Sequence, residues 1–283
     1  MKVVLFCGGF GMRLREFSDA IPKPLVNVGN KPILWHIMKY YAHYGHSDFI
    51  LCLGWKAEAI KEYFLNYNEC LSNDFVMNGR NSSVKLLASD INNWNITFVD
   101  TGLMSNVGQR LKAVEPHLKG ESTFLANYTD GLSNVHLPDL IDCHRRNKAV
   151  ATFMTVRPTQ TFHCVNANSD GSVYGITAVG EAELSVNAGF FVFEQSIFDE
   201  IHPGEEIIPK PFSRLIAKNQ LFCMHHDGFF GCMDTFKEKQ MFDDFHARGE
   251  TPWEVWRKPI HESVRIDEAP VLPRSLPAKR VVG

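Results

Sequence analysis

"KVVLFCGGFGMRL", residues 2–14, joins a short β-branched run to three glycines and an arginine. The apolar run stops at Gly8-Gly9 and carries no alternation, which reads as a strand buried on both faces of a parallel sheet. A dinucleotide fingerprint needs G-x-G-x-x-G, but Gly9-Phe10-Gly11 is followed by Met12, Arg13 and Leu14, so the third glycine is absent. A Walker A loop needs lysine then Ser or Thr after its last glycine, and these are missing too. Two readings stay open. One is a tight strand-to-helix turn. The other is a loop whose backbone N–H groups wrap a polyphosphate, with Arg13 as a forked positive charge.

Strands and helices alternate outward from this stretch. "KPILWHIMKYYAHYG", residues 31–45, has helical spacing at Ile33, Ile37, Tyr40 and Tyr41, with Pro32 in its first turn and Gly45 as a stop. "DFILCLG" reads as a strand, "KAEAIKEYFLNY" as a helix, "NITFVDTG" as a strand and "GQRLKAVEPHL" as a helix. "STFLANYTDG", "LPDLIDCHRRNKA" and "VATFMTV" continue the pattern as strand, helix and strand. The expected fold is α/β, a Rossmann-like mixed but mainly parallel sheet flanked by helices. Ligands of such sheets bind beyond the carboxyl ends of the strands, where residues 8–13, 100–102 and 130–131 fall. Further on, "GSVYGITAV" and "NAGFFVF" read as strands with a turn between them, and "FSRLIAKNQL" and "TFKEKQMFDDFHARG" as two late helices. The proline-rich end after Trp256 reads as irregular.

Composition narrows the function classes. The 283 residues carry a net charge of −3, which offers no general attraction to nucleic acid or an anionic membrane. No apolar run is long enough to span a bilayer, and "MKVVLFCGG" is too short for a signal peptide. The seven cysteines are scattered without a CxxC pair, so reduced thiols in a cytoplasmic protein are expected rather than a zinc site. Polyanion binding must therefore come from local groups. Lys23, between Pro22 and Pro24, is one such group, although a lysine in a polar stretch is more often solvated surface.

"GGFGMRL", then "PKPLV", then "GNKPILWHIM" resembles the start of sugar-1-phosphate nucleotidyltransferases, and the cytidylyltransferase branch in particular. The likeness continues in order through "FILCLGWKAEAIKEYF", "FVDTG", "GQRLKAV", "NYTDGLSNV", "NAGFFVF", "GFFGCMDT" and "RGETPWEVW". It implies attack of a sugar phosphate oxygen on the α-phosphorus of CTP, with release of pyrophosphate. Such a reaction gathers several negative charges and calls for a hard cation and fixed donors. The resemblance implies Mg²⁺ on Asp130 and Asp234, and nucleotide contacts from Gly8, Gly9, Gly11, Met12, Arg13, Lys23, Gly108, Arg110 and Asp130. Arg13 and Lys23 take the catalytic roles, and Tyr174, Gly175 and Asn187 the acceptor. It also implies a nucleotidyltransferase domain over residues 1–256, with a nucleotide half to about residue 150, a tail over 257–283, and self-association into a homo-oligomer.

Two departures from the family pattern bear on the acceptor. Met12 stands where the family has threonine, so one hydroxyl donor is gone. More consequentially, the family's Glu-Lys-Pro element is missing between Tyr174-Gly175-Ile176 and Asn187. The connection is "TAVGEAELSV", with Glu181 and Glu183 and no lysine, and Ala188 replaces a glycine. Without the lysine that binds the acceptor phosphate, glucose 1-phosphate is expected to be a poor substrate. Lys210 is one candidate substitute. The other readings are a cytidylyltransferase for a polyol phosphate or another sugar phosphate, and a catalytically silent nucleotide-binding regulator.

Overall fold

The computed structural model describes residues 1–9, 21–80, 82–158 and 162–257. Its strands are β1 Val3–Phe6, β2 Asn27–Val28, β3 Lys31–Pro32, β4 Asp48–Leu53, β5 Phe75–Asn78, β6 Ser83–Leu86, β7 Asn95–Asp100 and β8 Thr123–Tyr128. They continue with β9 Gly131–Ser133, β10 Ala151–Val156, β11 His163–Ala167, β12 Val173–Ala178, β13 Val186–Glu194, β14 Leu221–His225 and β15 Phe230–Cys232. The helices are α1 Ile33–His43, α2 Ala57–Leu65, α3 Val107–Val114, α4 Leu137–Asn147, α5 Ile197–Glu200, α6 Lys210–Ala217 and α7 Phe236–Ala247.

All four side chains of β1 are buried, as a strand with both faces covered requires. Val3 and Leu5 enter one core and Val4 and Phe6 the other, so the pleat feeds two hydrophobic layers on opposite faces of the sheet. β4 does the same, with Phe49, Leu51 and Leu53 on one side and Ile50 and Cys52 on the other. The central sheet has seven strands in the order β14-β10-β13-β8-β1-β4-β7. β1 is parallel to β4 and β8, β4 to β7, and β10 to β14. Only β13 runs against both of its neighbours. This is the mixed, mainly parallel sheet that the alternating pattern predicts.

Some boundaries differ from the sequence reading. Lys31 and Pro32 pair with β2 around Gly29, whose φ of 64° makes a tight turn, so α1 starts at Ile33 and Pro32 sits at its N-cap. The helix expected over residues 108–118 ends at Val114 and continues as a 3₁₀ turn, Glu115–Leu118, because Pro116 cannot donate to the α-helical ladder. β12 does not pair with β13. Both edges of β13 are taken by β8 and β10, and β12 pairs with β11 in an outlying hairpin. A second outlying hairpin, β5–β6, occupies a stretch with no strand or helix expectation.

The "RGETPWEVW" stretch packs on its own domain. Trp253 is buried, and the Trp256 ring meets Trp35 of α1 at 6.0 Å between centroids. All seven cysteines are free. Among the described residues no helix is long and apolar enough to cross a membrane. The tail expected beyond residue 257 lies outside the described residues.

Candidate active site

The parallel strands β1, β4, β7 and β8 deliver their carboxyl ends to one side of the sheet, and a cavity of about 680 Å³ opens there. Its floor includes Gly8 and Gly9 after β1 and Thr129 and Asp130 after β8. Gly9 lines the cavity, and among the described residues nothing lies within 4 Å of where its Cβ would stand.

Asp130 and Asp234 converge on one cation. Lys23 Nζ donates to Asp130 Oδ2 and to Asp234 Oδ1, each at 2.8 Å. Lys23 is carried by the 3₁₀ turn Lys23–Leu25, which Pro22 and Pro24 stiffen. Burial alone would lower the affinity of its amine for a proton. The Asp130 and Asp234 charges and hydrogen bonds outweigh that and hold the ammonium above its ordinary value. Asp234 follows β15, whose pairing with β9 sets Cys232 opposite Gly131, and Met233 N–H donates to Asp130 O at 2.7 Å. Thr235 caps α7, and the Glu238 carboxylate accepts from Asp234 N–H and Thr235 N–H at 2.8 Å each.

Asp130, Asp234 and Cys232 each place a ligand atom within 4.8 Å of the others. Two carboxylates already gathered on one positive charge fit a hard divalent cation. The Cys232 thiol beside them is held protonated, its pKa raised first by burial and then by the two carboxylates.

Arg110 is nearly fully buried and lies under the glycine loop. Its Nη2 donates to Gly8 O at 2.9 Å, and its Nη1 to Leu53 O at 3.0 Å and Thr101 Oγ1 at 2.7 Å. The guanidinium thus ties together the ends of β1, β4 and β7 while bordering the cavity. A Cβ on Gly8 would fall 2.7 Å from Arg110 Nη2 and nearer still to Nη1 and Cζ, so any other residue there would have to displace the guanidinium.

The other sequence-derived candidates separate. Gly108 lets α3 approach residues 205–207, since its Cβ would stand 3.0 Å from Ile207 N and closer to Glu205 O. It does not line the cavity. Asn187 accepts from Gly189 N–H at 2.9 Å and hydrogen-bonds Tyr128 at the cavity wall. Tyr174 and Gly175 lie on β12, away from the cavity lining, and Tyr174 is exposed. The Ala188 methyl is buried in the core. Glu181, Glu183 and Lys210 are exposed. Gly11, Met12 and Arg13 lie outside the described residues. Tyr128, Glu206 and residues 103–107 complete the cavity wall without having been singled out from sequence.

Residues 2–235 match the sequence model of the Nucleotidyl transferase family. The chain belongs to that family. Glucose-1-phosphate cytidylyltransferase of Salmonella typhimurium is 35% identical over 258 residues, covering 90% of this chain and all of the relative. Mannose-1-phosphate guanylyltransferase catalytic subunit beta of Dictyostelium discoideum is 24% identical over 236 residues, 81% of this chain and 60% of that protein. The fold is shared with apo UDP-glucose pyrophosphorylase, at a TM-score of 0.65 and 14% identity over 89% of this chain and all of that one. It is shared too with HddC of Yersinia pseudotuberculosis, at a TM-score of 0.62 and 19% identity over 87% and 99%. In this nucleotidyltransferase the Gly8-Gly9 pair follows the first strand, and the carboxylate pair follows β8 and β15.

Proposed function

We propose that the chain is a Mg²⁺-dependent cytidylyltransferase that transfers CMP from CTP to a sugar 1-phosphate. The observation that carries this reading is the convergence of Asp130 and Asp234 on a single cation position at the carboxyl end of β8. The 35% identity to a glucose-1-phosphate cytidylyltransferase over 90% of the chain supports the base and the acceptor class. In the reaction an acceptor phosphate oxygen forms a bond to the α-phosphorus of CTP. The bond from that phosphorus to the α–β bridging oxygen breaks, and pyrophosphate leaves.

Asp130 and Asp234 would hold Mg²⁺, which would supply positive charge against that of the phosphates. The Gly8-Gly9 backbone approaches the triphosphate without side-chain obstruction, and Arg110 fixes the Gly8 carbonyl away from it. Lys23 supplies an ammonium at the same place, where it stabilises charge spread over the transferring phosphorus. Arg13 takes the departing phosphates in this reading. Self-association and a cytoplasmic location belong to it as well.

A second reading, in which the acceptor is another phosphorylated sugar or polyol, is favoured by one specific observation. The cations among the described cavity residues are Lys23, engaged by the two carboxylates, and Arg110, engaged by carbonyls. Neither is set aside for an acceptor phosphate. The deciding experiment is pyrophosphate release with CTP, Mg²⁺ and a panel of sugar and polyol phosphates. Release with none of them, while CTP still binds, would replace the enzyme by a silent nucleotide-binding protein.

A further inference from the structure

Glu206 is out of place in a cavity built for polyphosphate. It lines the same cavity as Lys23, Asp130 and Asp234, yet a carboxylate repels every phosphate that enters. It is not a stray surface group. Its Oε1 accepts from Ile207 N–H at 2.9 Å and its Oε2 from Val107 N–H at 3.3 Å, so both oxygens are held by backbone. A carboxylate has about four acceptor positions, and two such bonds leave the others to face the cavity.

The charge pattern orders the cavity. Tyr128 feels both Glu206 and Asp130: burial first, then those two charges in turn, push its hydroxyl up to about 12. The cavity thus carries a carboxylate–ammonium cluster, which suits the triphosphate, and a separate carboxylate at Glu206, and Tyr128 lines it as well. The wall at the Glu206 end is formed by residues 103–107, with the apolar side chains of Leu103, Met104 and Val107. An apolar wall beside a fixed acceptor suits a flat ring that carries an N–H donor.

We infer that Glu206 reads the nucleobase by accepting a hydrogen bond from its exocyclic amine. This rests on the cytidylyltransferase reading above and deepens it. Cytosine presents an amine on its pairing edge where uracil presents a carbonyl oxygen. The amine meets Glu206 as donor to acceptor. The uracil oxygen meets it as acceptor to acceptor, with a desolvated negative charge left unpaired. Hydrogen bonds to a charged group translate into about a ten- to hundredfold preference for CTP over UTP from this contact.

The test measures the dissociation constants of CTP, UTP, ATP and GTP, each with Mg²⁺, for the full chain and for Glu206→Gln. The glutamine oxygen can keep the Ile207 N–H bond while its NH2 group, set where the longer 3.3 Å bond from Val107 N–H is given up, offers an N–H to the uracil oxygen. The expected result is a CTP preference over UTP that shrinks about tenfold or more in the variant, through weaker CTP and stronger UTP binding. Glu206→Asp, which keeps the charge but withdraws it by one methylene, should lose part of the same preference. An unchanged CTP-to-UTP ratio in both variants overturns the inference, and so does a wild-type protein that prefers UTP. A changed acceptor KM with that ratio intact moves Glu206 to the acceptor and overturns it equally. If the wild type binds ATP or GTP best and loses its preference over UTP in Glu206→Gln, the cytidylyl reading fails while the role of Glu206 stands.

Discussion

Gly8→Ala tests the packing of Arg110 against the glycines that follow β1. The added Cβ would lie 2.7 Å from Arg110 Nη2, with Nη1 and Cζ nearer still. Arg110 has no room to yield without loss, because its guanidinium is buried and hydrogen-bonded to Gly8 O, Leu53 O and Thr101 Oγ1. Overpacking alone costs about 1–3 kcal/mol. Pushing the guanidinium aside also gives up its charge-assisted bonds to Gly8 O and Leu53 O, a loss of about 1.5–3 kcal/mol, although Leu53 O keeps Thr101 N–H and Oγ1–H and Gly8 O keeps Trp55 N–H as donors. Because the backbone relaxes in part, we expect a total of about 3–5 kcal/mol, which lowers Tm by roughly 10 °C in a domain of this size. Urea unfolding followed by tryptophan fluorescence gives the stability change, and CTP binding gives the functional one. The double variant with Arg110→Lys supplies the control. Lysine removes the fork that the methyl strikes, so the two losses should add up to less than their sum. A Gly8→Ala protein within about 1 °C of the wild-type Tm would refute the argument that Arg110 fixes the loop.

Asp130→Asn and Asp234→Asn should each leave the fold intact and reduce turnover by about a hundredfold or more, with a raised Mg²⁺ requirement in a metal titration; near-normal rates at limiting Mg²⁺ would remove that residue from the site. His36 is buried, and burial first lowers its pKa from 6.5 to about 4. The folded state therefore binds fewer protons than the unfolded state between these values, and stability is full above pH 6.5 and falls by up to about 3 kcal/mol on approach to pH 4. Urea midpoints across that range should slope upward with pH, and His36→Gln should flatten the slope. Glucose 1-phosphate should bind about one to two decades more weakly than a preferred acceptor, for want of a dedicated phosphate cation; steady-state kinetics with the acceptor panel checks it.

The strands were legible where the chain had to bury both faces. β1, β4 and β8 are mostly apolar runs, and the cavity opens beside the residues that follow β1 and β8. β5 and β6 were not legible, because seven of their eight residues are exposed and no core face imposes a pattern. The burial of Arg110 was hidden for a different reason. Apart from Thr101 Oγ1, its partners are the backbone carbonyls of Gly8, Leu53 and Leu103, and a carbonyl leaves no mark in a sequence. Glu206 likewise depends on the amides of Val107 and Ile207. Asp130 could be placed at a strand end by the run before it, whereas its pairing with Asp234 came from family resemblance, since the two lie in distant parts of the chain.

That pairing has a backbone cause. Asp130 follows β8, which lies in register with β1, and Thr129 Oγ1 donates to Phe6 O at 2.8 Å to fix the turn. Asp234 is then located from Asp130 itself, through the Cys232–Gly131 pairing and the Met233 N–H bond to Asp130 O. Lys23 arrives from a third segment on its own short turn, closed by Leu25 N–H to Pro22 O at 2.8 Å. Main-chain hydrogen bonds therefore bring the backbones of the two aspartates together, and Lys23 joins their carboxylates. Two carboxylates fixed this close repel unless a cation joins them. Lys23 is the cation that the chain itself supplies, and in the proposed reaction a divalent ion would take up the charge of the same pair while the ammonium turns to phosphate.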